Sequence, residues 1–541
     1  MNDMKQKEQW KKWLYITACI LLFGYLGYNL VRTVFLCVTD AGIHETRMST
    51  KIIQDFVNGI NPYGTDWLYE EGSLPATYYE SGFFHILPSV VIARLFNVSV
   101  YSAAAVTHII YILSALSVMI LCVNKMTGSP LLSALAADMY NFCLNTSLTT
   151  NVRPETLCSF CIVLIIYLLT FDSEKKDSVQ TGTMVREWII AFLCVLLVFL
   201  KIHYASIIAA LFFVFLYRKR LWNIIYKTAT IGILTTVICV IFFPTFFSTF
   251  GVRVIEMLRD NTEVKTIADM WRKWLSLFLL YPLPFILVVL RGVLPESFAK
   301  APGFVKRYFT DKKDKLLGSE MSIFFTANVI INFIALCFMG KWPGNTITYH
   351  CVMIMPTLII ASVLIIKYYS SKNDKLGFYI YSGFTLLTVA MLVSNNHIKK
   401  IDFSKYQTKL EARENERAEL DKYKSDNMLL SPKKAFYALE NDIYQWDFGD
   451  QIYLPYNIGT SPRWNFLFPY TNLYRDRNIE YANKMLEMIE NKEYSIIITD
   501  DYNILGMKLG LEDAFKEAID YNYKIIKEEG SLIYLIPDEQ K

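Results

Sequence analysis

The stretch LYITACILLFGYLGYNLVRTVFLCV, Leu14 to Val38, decides what kind of protein this is. Crossing the hydrocarbon core of a bilayer takes about 20 apolar residues of helix, and this run is long enough. It opens directly onto TDAGIHETR, Thr39 to Arg47. A segment built for lipid therefore ends on Asp40, His44, Glu45 and Arg47, at a membrane–water boundary. The run is too long for a signal-peptide core, which spans about 7–15 residues, and no small-residue cleavage site stands close behind it. It reads as a retained span.

The whole chain agrees with that reading. Its 541 residues are 53% hydrophobic, 15% aromatic and 19% charged, with a mean hydropathy of +0.29. Soluble domains are about 45–50% apolar and about 25% charged. The apolar residues here come in blocks. They predict spans near 13–38, 101–123, 130–147, 155–171, 187–201, 203–217, 223–246, 274–291, 321–340, 349–366 and 376–394, about eleven transmembrane helices. The net charge of +4 is too small to imply nucleic acid as a partner. The ten cysteines sit in or beside apolar runs, which argues against a disulfide framework. Cys158 and Cys161, a lone C-x-x-C inside one of those runs, read as packing residues.

The segment FFHILPSVVIARLF, residues 83–96, is apolar yet short. As a helix it reaches about 21 Å, against a core of about 30 Å. It also carries His85, Pro88 and Arg94, so it reads as a helix lying at the interface. Loop charges support this through the positive-inside rule. With the N-terminus cytoplasmic, the clusters Lys175–Lys176–Arg186, Arg218–Lys219–Arg220, Lys300–Lys306–Arg307 and Lys367–Lys372–Lys375 all fall inside. If 83–96 crossed, each would fall outside. Residues 39–100 then form a long first outer loop, and the region beyond about 395 is also outside.

That C-terminal region, 395–541, has a different character. A charged stretch, 405–427, precedes β-like runs QIYLPYN (451–457), YSIIITD (494–500) and SLIYLIP (531–537), which alternate with helical patterns at 479–491 and 511–521. Strands alternating with helices predict a small extracytoplasmic α/β domain. Its basic and acidic residues number 20 and 26, a net charge of −6 that leaves +10 on residues 1–394.

Several polar groups at membrane depth converge on the outer side. Asp40, His44 and Glu45 follow the first span. Asn151, Arg153 and Glu155 lie between the third and fourth, and Lys201 and His203 at the bend between the fifth and sixth. Lys341, Trp342, Asn345, Tyr349 and His350 lie between the ninth and tenth. Ionisable groups at this depth are costly unless paired or hydrated, and so are functional candidates. Together they outline a cavity at the outer interface, with carboxylates able to take a proton from a hydroxyl and cations able to hold a leaving phosphate.

On these residues the sequence resembles the lipid-phosphosugar-dependent membrane glycosyltransferases of the GT-C superfamily, which include aminoarabinose transferases and protein O-mannosyltransferases. The matching features are Asp40 after the first span, Gly59, Asn61, Pro62 and Tyr63 in the loop, and Arg153–Pro154–Glu155 opening a later helix. Lys201 at an outer bend and Gly344, Asn345, Tyr349 and His350 before a late helix complete the set. The resemblance covers residues 13–394. It departs where Asp40 is followed by Ala-Gly, where the Arg-Pro motif ends in Glu, and where Tyr78–Tyr79–Glu80 replaces the usual Tyr-Pro pair.

The resemblance implies a GT-C-like transmembrane catalytic domain, 1–394, in a plasma (inner) membrane. It implies a donor of the polyprenyl-phosphate-sugar type and an outer-face glycan, lipid or protein acceptor. Asp40 is then the catalytic base, with Glu45 as a second acid. Arg153, Glu155, Lys201, His203, Lys341, Tyr349 and His350 bind substrate or phosphate. A divalent metal is compatible, with His44 as its candidate ligand. A transporter or flippase for lipid-linked sugars, or a polymerase of lipid-linked glycans, are the competing readings.

Overall fold

The computed structural model describes residues 2–39, 53, 56–59, 82–147, 152–171, 180–201, 204–243, 246, 319–338, 353–371, 428–431, 483, 486–499, 511–529 and 532–539. The helices are α1 (Asn2–Thr39), α2 (Leu87–Phe96), α3 (Val100–Thr127), α4 (Pro130–Ser147), α5 (Pro154–Thr170), α6 (Gln180–Leu200), α7 (Ala205–Tyr217), α8 (Leu221–Phe242), α9 (Ser319–Phe338) and α10 (Met355–Ser371). Each predicted span up to 223–246, and those at 321–340 and 349–366, overlaps one of these helices. The spans predicted at 274–291 and 376–394 lie outside the described residues.

Among the described residues, three helical segments are long and apolar enough to cross a membrane: Gln9–Phe35, Ser102–Thr127 and Leu221–Phe242. Their apolar side chains face outward in large numbers. Trp222, Ile233, Ile241 and Phe242 of α8 are all exposed, as are Leu14, Ile20, Leu21 and Val31 of α1. An apolar surface of that extent is suited to lipid rather than water.

Local sequence explains the breaks between helices. The α3 helix starts at Ser99, whose hydroxyl accepts the Ser102 N–H at 3.1 Å. It stops at Gly128, which takes φ 65° and donates its N–H to the Asn124 carbonyl at 2.7 Å. Asn97, with φ 48°, closes α2, and Pro154 starts α5 at a position where the missing N–H costs nothing. The interfacial segment departs from the single helix predicted over 83–96. It forms a 3-10 turn, Phe83–His85, then α2 from Leu87. Pro88, in the first turn of α2, has no N–H to extend hydrogen bonding back into that turn.

The core is centred on α5. Residues from Pro154 through Thr170 are buried on nearly every face, with α3, α6, α9 and α10 packed around it. Further pairs are α3 with α4, α1 with α4, α6 with α8, and α7 with α9. Cys158 and Cys161 are fully buried free thiols within this packing.

Contacts define two ends of the bundle. At one, the Tyr15 hydroxyl meets Ser129 at 3.3 Å, Lys367 donates to the Met126 carbonyl at 3.3 Å, and the Lys125 ammonium lies 2.9 Å from the Phe171 ring centre. Glu187, buried at the same end, pairs with Lys227 at 2.6 Å and Arg220 at 2.8 Å, and Arg218 pairs with Glu320. At the other end, the Gly82 N–H donates to the Leu200 carbonyl at 3.1 Å, and the Phe83 ring packs at tilted and edge-on angles against Phe56, Phe243 and Phe246. The basic clusters predicted to share one side of the membrane, so far as they are described, gather at the first end.

The C-terminal residues form a four-stranded sheet of order β1-β2-β4-β3, from β1 (Met428–Ser431), β2 (Ile496–Thr499), β3 (Tyr523–Glu529) and β4 (Leu532–Pro537). β1 and β2 are parallel, with Met428 opposite Ile496; the other pairs are antiparallel. Helix α11 (Glu512–Asn522) packs its Phe515 and Ile519 with Tyr494, Tyr523 and Leu535. β2 and β4 fall within runs predicted as strands. β1 and β3 do not, and QIYLPYN lies outside the described residues.

Candidate functional site

The second end of the bundle carries the described part of the predicted site. Arg153 sits in extended conformation just before α5, and Pro154 opens the helix. Glu155 follows in the first turn, where the exposed N–H groups of a helix favour a negative charge. Its side chain is 2% exposed. Lys201 lies just past the end of α6, where its N–H still bonds to the Leu197 carbonyl at 3.2 Å. From there its ammonium reaches Glu155 Oε1 at 2.5 Å. The Arg153 guanidinium adds a second positive charge near the same carboxylate. Three residues predicted from two separate loops thus form one cluster, a buried carboxylate under two cations.

A glycine fixes where the first loop enters this site. Gly82 approaches the end of α6 so closely that a Cβ built on it falls 1.5 Å from the Phe199 carbonyl oxygen. No other residue fits there. The contact holds the Phe83–His85 turn against Lys201's own helix, and Phe84 packs edge-on to Phe199.

That turn delivers His85, which is fully buried. Its ring hydrogen-bonds to the Gly82 backbone and lies within the electrostatic reach of Glu155 and Lys201. Burial lowers its pKa to about 3; Lys201 reinforces the shift, while Glu155 and the Gly82 bond oppose it. The imidazole is therefore neutral across the physiological range. Its backbone is held as well, since the Tyr111 hydroxyl donates to the His85 carbonyl at 3.0 Å. Tyr204, 1% exposed, sits beside Cys158 and near Glu155 and Arg153. His108 Nδ1 lies 3.5 Å from the Thr156 hydroxyl.

A polar ladder continues from here between helices. The Ser206 hydroxyl bonds to Asn332 Oδ1, and Asn332 Nδ2 donates to the Asn328 side chain at 2.7 Å. Asn328 Nδ2 donates in turn to the Met353 carbonyl at 3.0 Å and the Thr357 hydroxyl at 2.9 Å. The ladder ties α7, which begins just after Lys201, to α9 and the start of α10.

Sequence reading missed His85, His108, Tyr204 and the two asparagines as parts of this assembly. In the sequence, His85 bears only on whether 83–96 spans the membrane. The N-x-x-x-N spacing of 328 and 332, which puts both on one helical face, was the available signal for the ladder. Asp40, His44, Glu45, His203, Lys341, Tyr349 and His350 lie outside the described residues. Gly59, the first residue of the predicted loop motif, is described: it takes φ 80° and donates to the Phe56 carbonyl at 3.2 Å. Among the described residues no group of three His, Cys, Asp or Glu side chains is placed to hold a metal.

The fold and these helices define a predominantly helical membrane protein with a charged cluster at one end. Among solved structures, the chain is similar to ArnT from Cupriavidus metallidurans in the apo state, at 12% identity and a TM-score of 0.46 over 95% of this chain and 98% of that one. The same protein bound to undecaprenyl phosphate gives 14% identity and a TM-score of 0.39 over 95% and 98%. The archaeal oligosaccharyltransferase AglB from Archaeoglobus fulgidus, in complex with an inhibitory peptide and a dolichol-phosphate, gives 13% and 0.41 over 96% of this chain and 74% of that one. No protein-family model matches the chain, and no curated protein matches it in sequence.

Proposed function

We propose that this protein is a membrane glycosyltransferase that moves a sugar from a polyprenyl-phosphate carrier to an acceptor on the outer face of the membrane. The observation that carries this reading is the Glu155–Lys201 pair with Arg153 beside it, buried at the mouth of the bundle. A lipid-linked phosphate places its charge at the interface and its tail in the bilayer, at the level such cations occupy. Arg153 and Lys201 stabilise that phosphate, while Glu155 holds the Lys201 ammonium in place.

In this reading Asp40 accepts the proton of the acceptor hydroxyl. The freed oxygen bonds to the anomeric carbon as the bond from that carbon to the phosphate oxygen breaks. The electron pair leaves on the lipid phosphate, whose developing charge meets Arg153 and Lys201. One displacement inverts the anomeric centre. Glu45, His203, Lys341, Tyr349 and His350 complete the proposed substrate surface. Residues 395–541 form an extracytoplasmic domain facing the acceptor.

The test is release of label from a panel of radiolabelled polyprenyl-phosphate sugars in membranes, comparing wild type with Asp40→Asn and Lys201→Met. Transfer by wild type alone supports the reaction and both roles. Movement of intact lipid-linked sugar across the membrane without transfer replaces this reading with a transporter.

A further inference from the structure

Partway along α4 lies a carboxylate that the proposed transferase site does not use. Asp138 is 8% exposed, and both of its carboxylate oxygens are buried without a hydrogen-bond partner. Its helix packs against α1, α3 and α10, and the charged groups of those helices whose side chains are described, with several of the other titratable ones, are placed elsewhere. Lys125 lies over the Phe171 ring, and Lys367 bonds to the Met126 carbonyl. On α3, His108 sits against Thr156, the Tyr111 hydroxyl donates to the His85 carbonyl, and the Cys122 thiol faces Met126. Tyr25 and Tyr28 of α1 are exposed.

Arg32 is the remaining cation within the packed length of α1. Helices α1 and α4 run the same way: Tyr15 meets Ser129 at the start of α4, and the buried residues of α1, Leu26, Thr33 and Cys37, follow further along. At about 1.5 Å per residue from that contact, Asp138 stands about 13 Å along the bundle and Arg32 about 25 Å. They are at different levels, and no ion pair joins them.

An ionised carboxylate that, among the described residues, has no hydrogen-bond partner and no paired cation, set between packed apolar helices, is far costlier than its neutral acid. Intramembrane acids are retained where they bind something. We propose that Asp138 is a proton-binding site inside the bundle, holding its carboxyl group in the neutral form at physiological pH and linking the packing of α4 to protonation. This does not depend on the transferase reading. The neutral acid is also the form that adds to an apolar carbodiimide. In that reaction the carboxyl oxygen bonds to the central carbon, the acid proton passes to nitrogen, and no group leaves.

The test is infrared spectroscopy of the purified full chain in an ester-free detergent at pH 7, wild type minus Asp138→Asn, in sodium-free and sodium-containing buffer. The expected result is the carbonyl band of a protonated carboxylic acid in wild type, unchanged by sodium, with Asp138→Asn at least as heat-stable as wild type. Dicyclohexylcarbodiimide should label the peptide containing Asp138. A carboxylate band in place of the acid band overturns the proposal, as does an acid band that sodium abolishes, which would make this a cation site. Should Asp138→Asn fail to fold, Asp138→Glu serves as the second variant: it should retain an acid band, shifted from that of wild type. An unshifted band, meaning that the acid lies elsewhere, overturns the proposal.

Discussion

Lys201 and Glu155, 46 positions apart in sequence, meet at 2.5 Å with the carboxylate 2% and the lysine 22% exposed. This unequal burial makes the two partners unequal to lose. Lys201→Met strands a carboxylate that has almost no access to water, and breaking a buried pair that way costs about 3–5 kcal/mol. Glu155→Gln leaves a lysine that still reaches solvent, with an expected cost of about 1–3 kcal/mol. Thermal unfolding of the two purified variants should rank them in that order. Equal losses would mean that Arg153 alone holds the Glu155 carboxylate once Lys201 is gone.

Gly82→Ala tests how the first loop is anchored. The added methyl group collides with the Phe199 carbonyl oxygen, so the turn must withdraw and the Gly82–Leu200 hydrogen bond must break. Overpacking of this kind costs about 1–3 kcal/mol. Protease cleavage in the 39–100 loop should become faster in the variant, while cleavage elsewhere keeps its rate.

His85 gives a pH signature. Its folded-state pKa is lowered to about 3, against about 6.5 in an unfolded chain. Between those values the unfolded chain binds a proton that the folded chain refuses, so stability is full above about 6.5 and falls as the pH drops toward 3. His85→Gln should flatten this part of the stability–pH curve. An unchanged slope would show that the ring is protonated in the folded protein.

Asn328→Leu removes the middle of the ladder. The Met353 carbonyl and Thr357 hydroxyl lose their donor, at about 1–3 kcal/mol for each buried group left unpaired, while Asn332 Nδ2 keeps the Asn328 backbone carbonyl as its acceptor. Asn328→Leu combined with Asn332→Leu and Thr357→Val replaces several polar partners together and should recover part of the loss. Differential scanning calorimetry of the three proteins of the series, wild type included, checks both statements.

The sequence by itself determined where the described helices of the bundle lie, because long apolar runs have one stable form in lipid; it placed their ends less closely, since α1 begins at Asn2 and α6 at Gln180, well before the spans predicted from 13 and 187. It also singled out Arg153, Glu155 and Lys201, since charged residues at the edge of apolar runs are conspicuous. Only the tertiary structure decided that these three meet, and that the meeting depends on Gly82, Phe199 and His85. Nothing in a linear pattern distinguishes a glycine in a loop from one that touches a carbonyl, or a histidine at an interface from one buried beside an ion pair. Asp138 was hidden for a related reason. Within an apolar helix a single polar residue has the same local sequence whether it faces lipid, a partner or nothing, and that difference is set by the neighbouring helices alone.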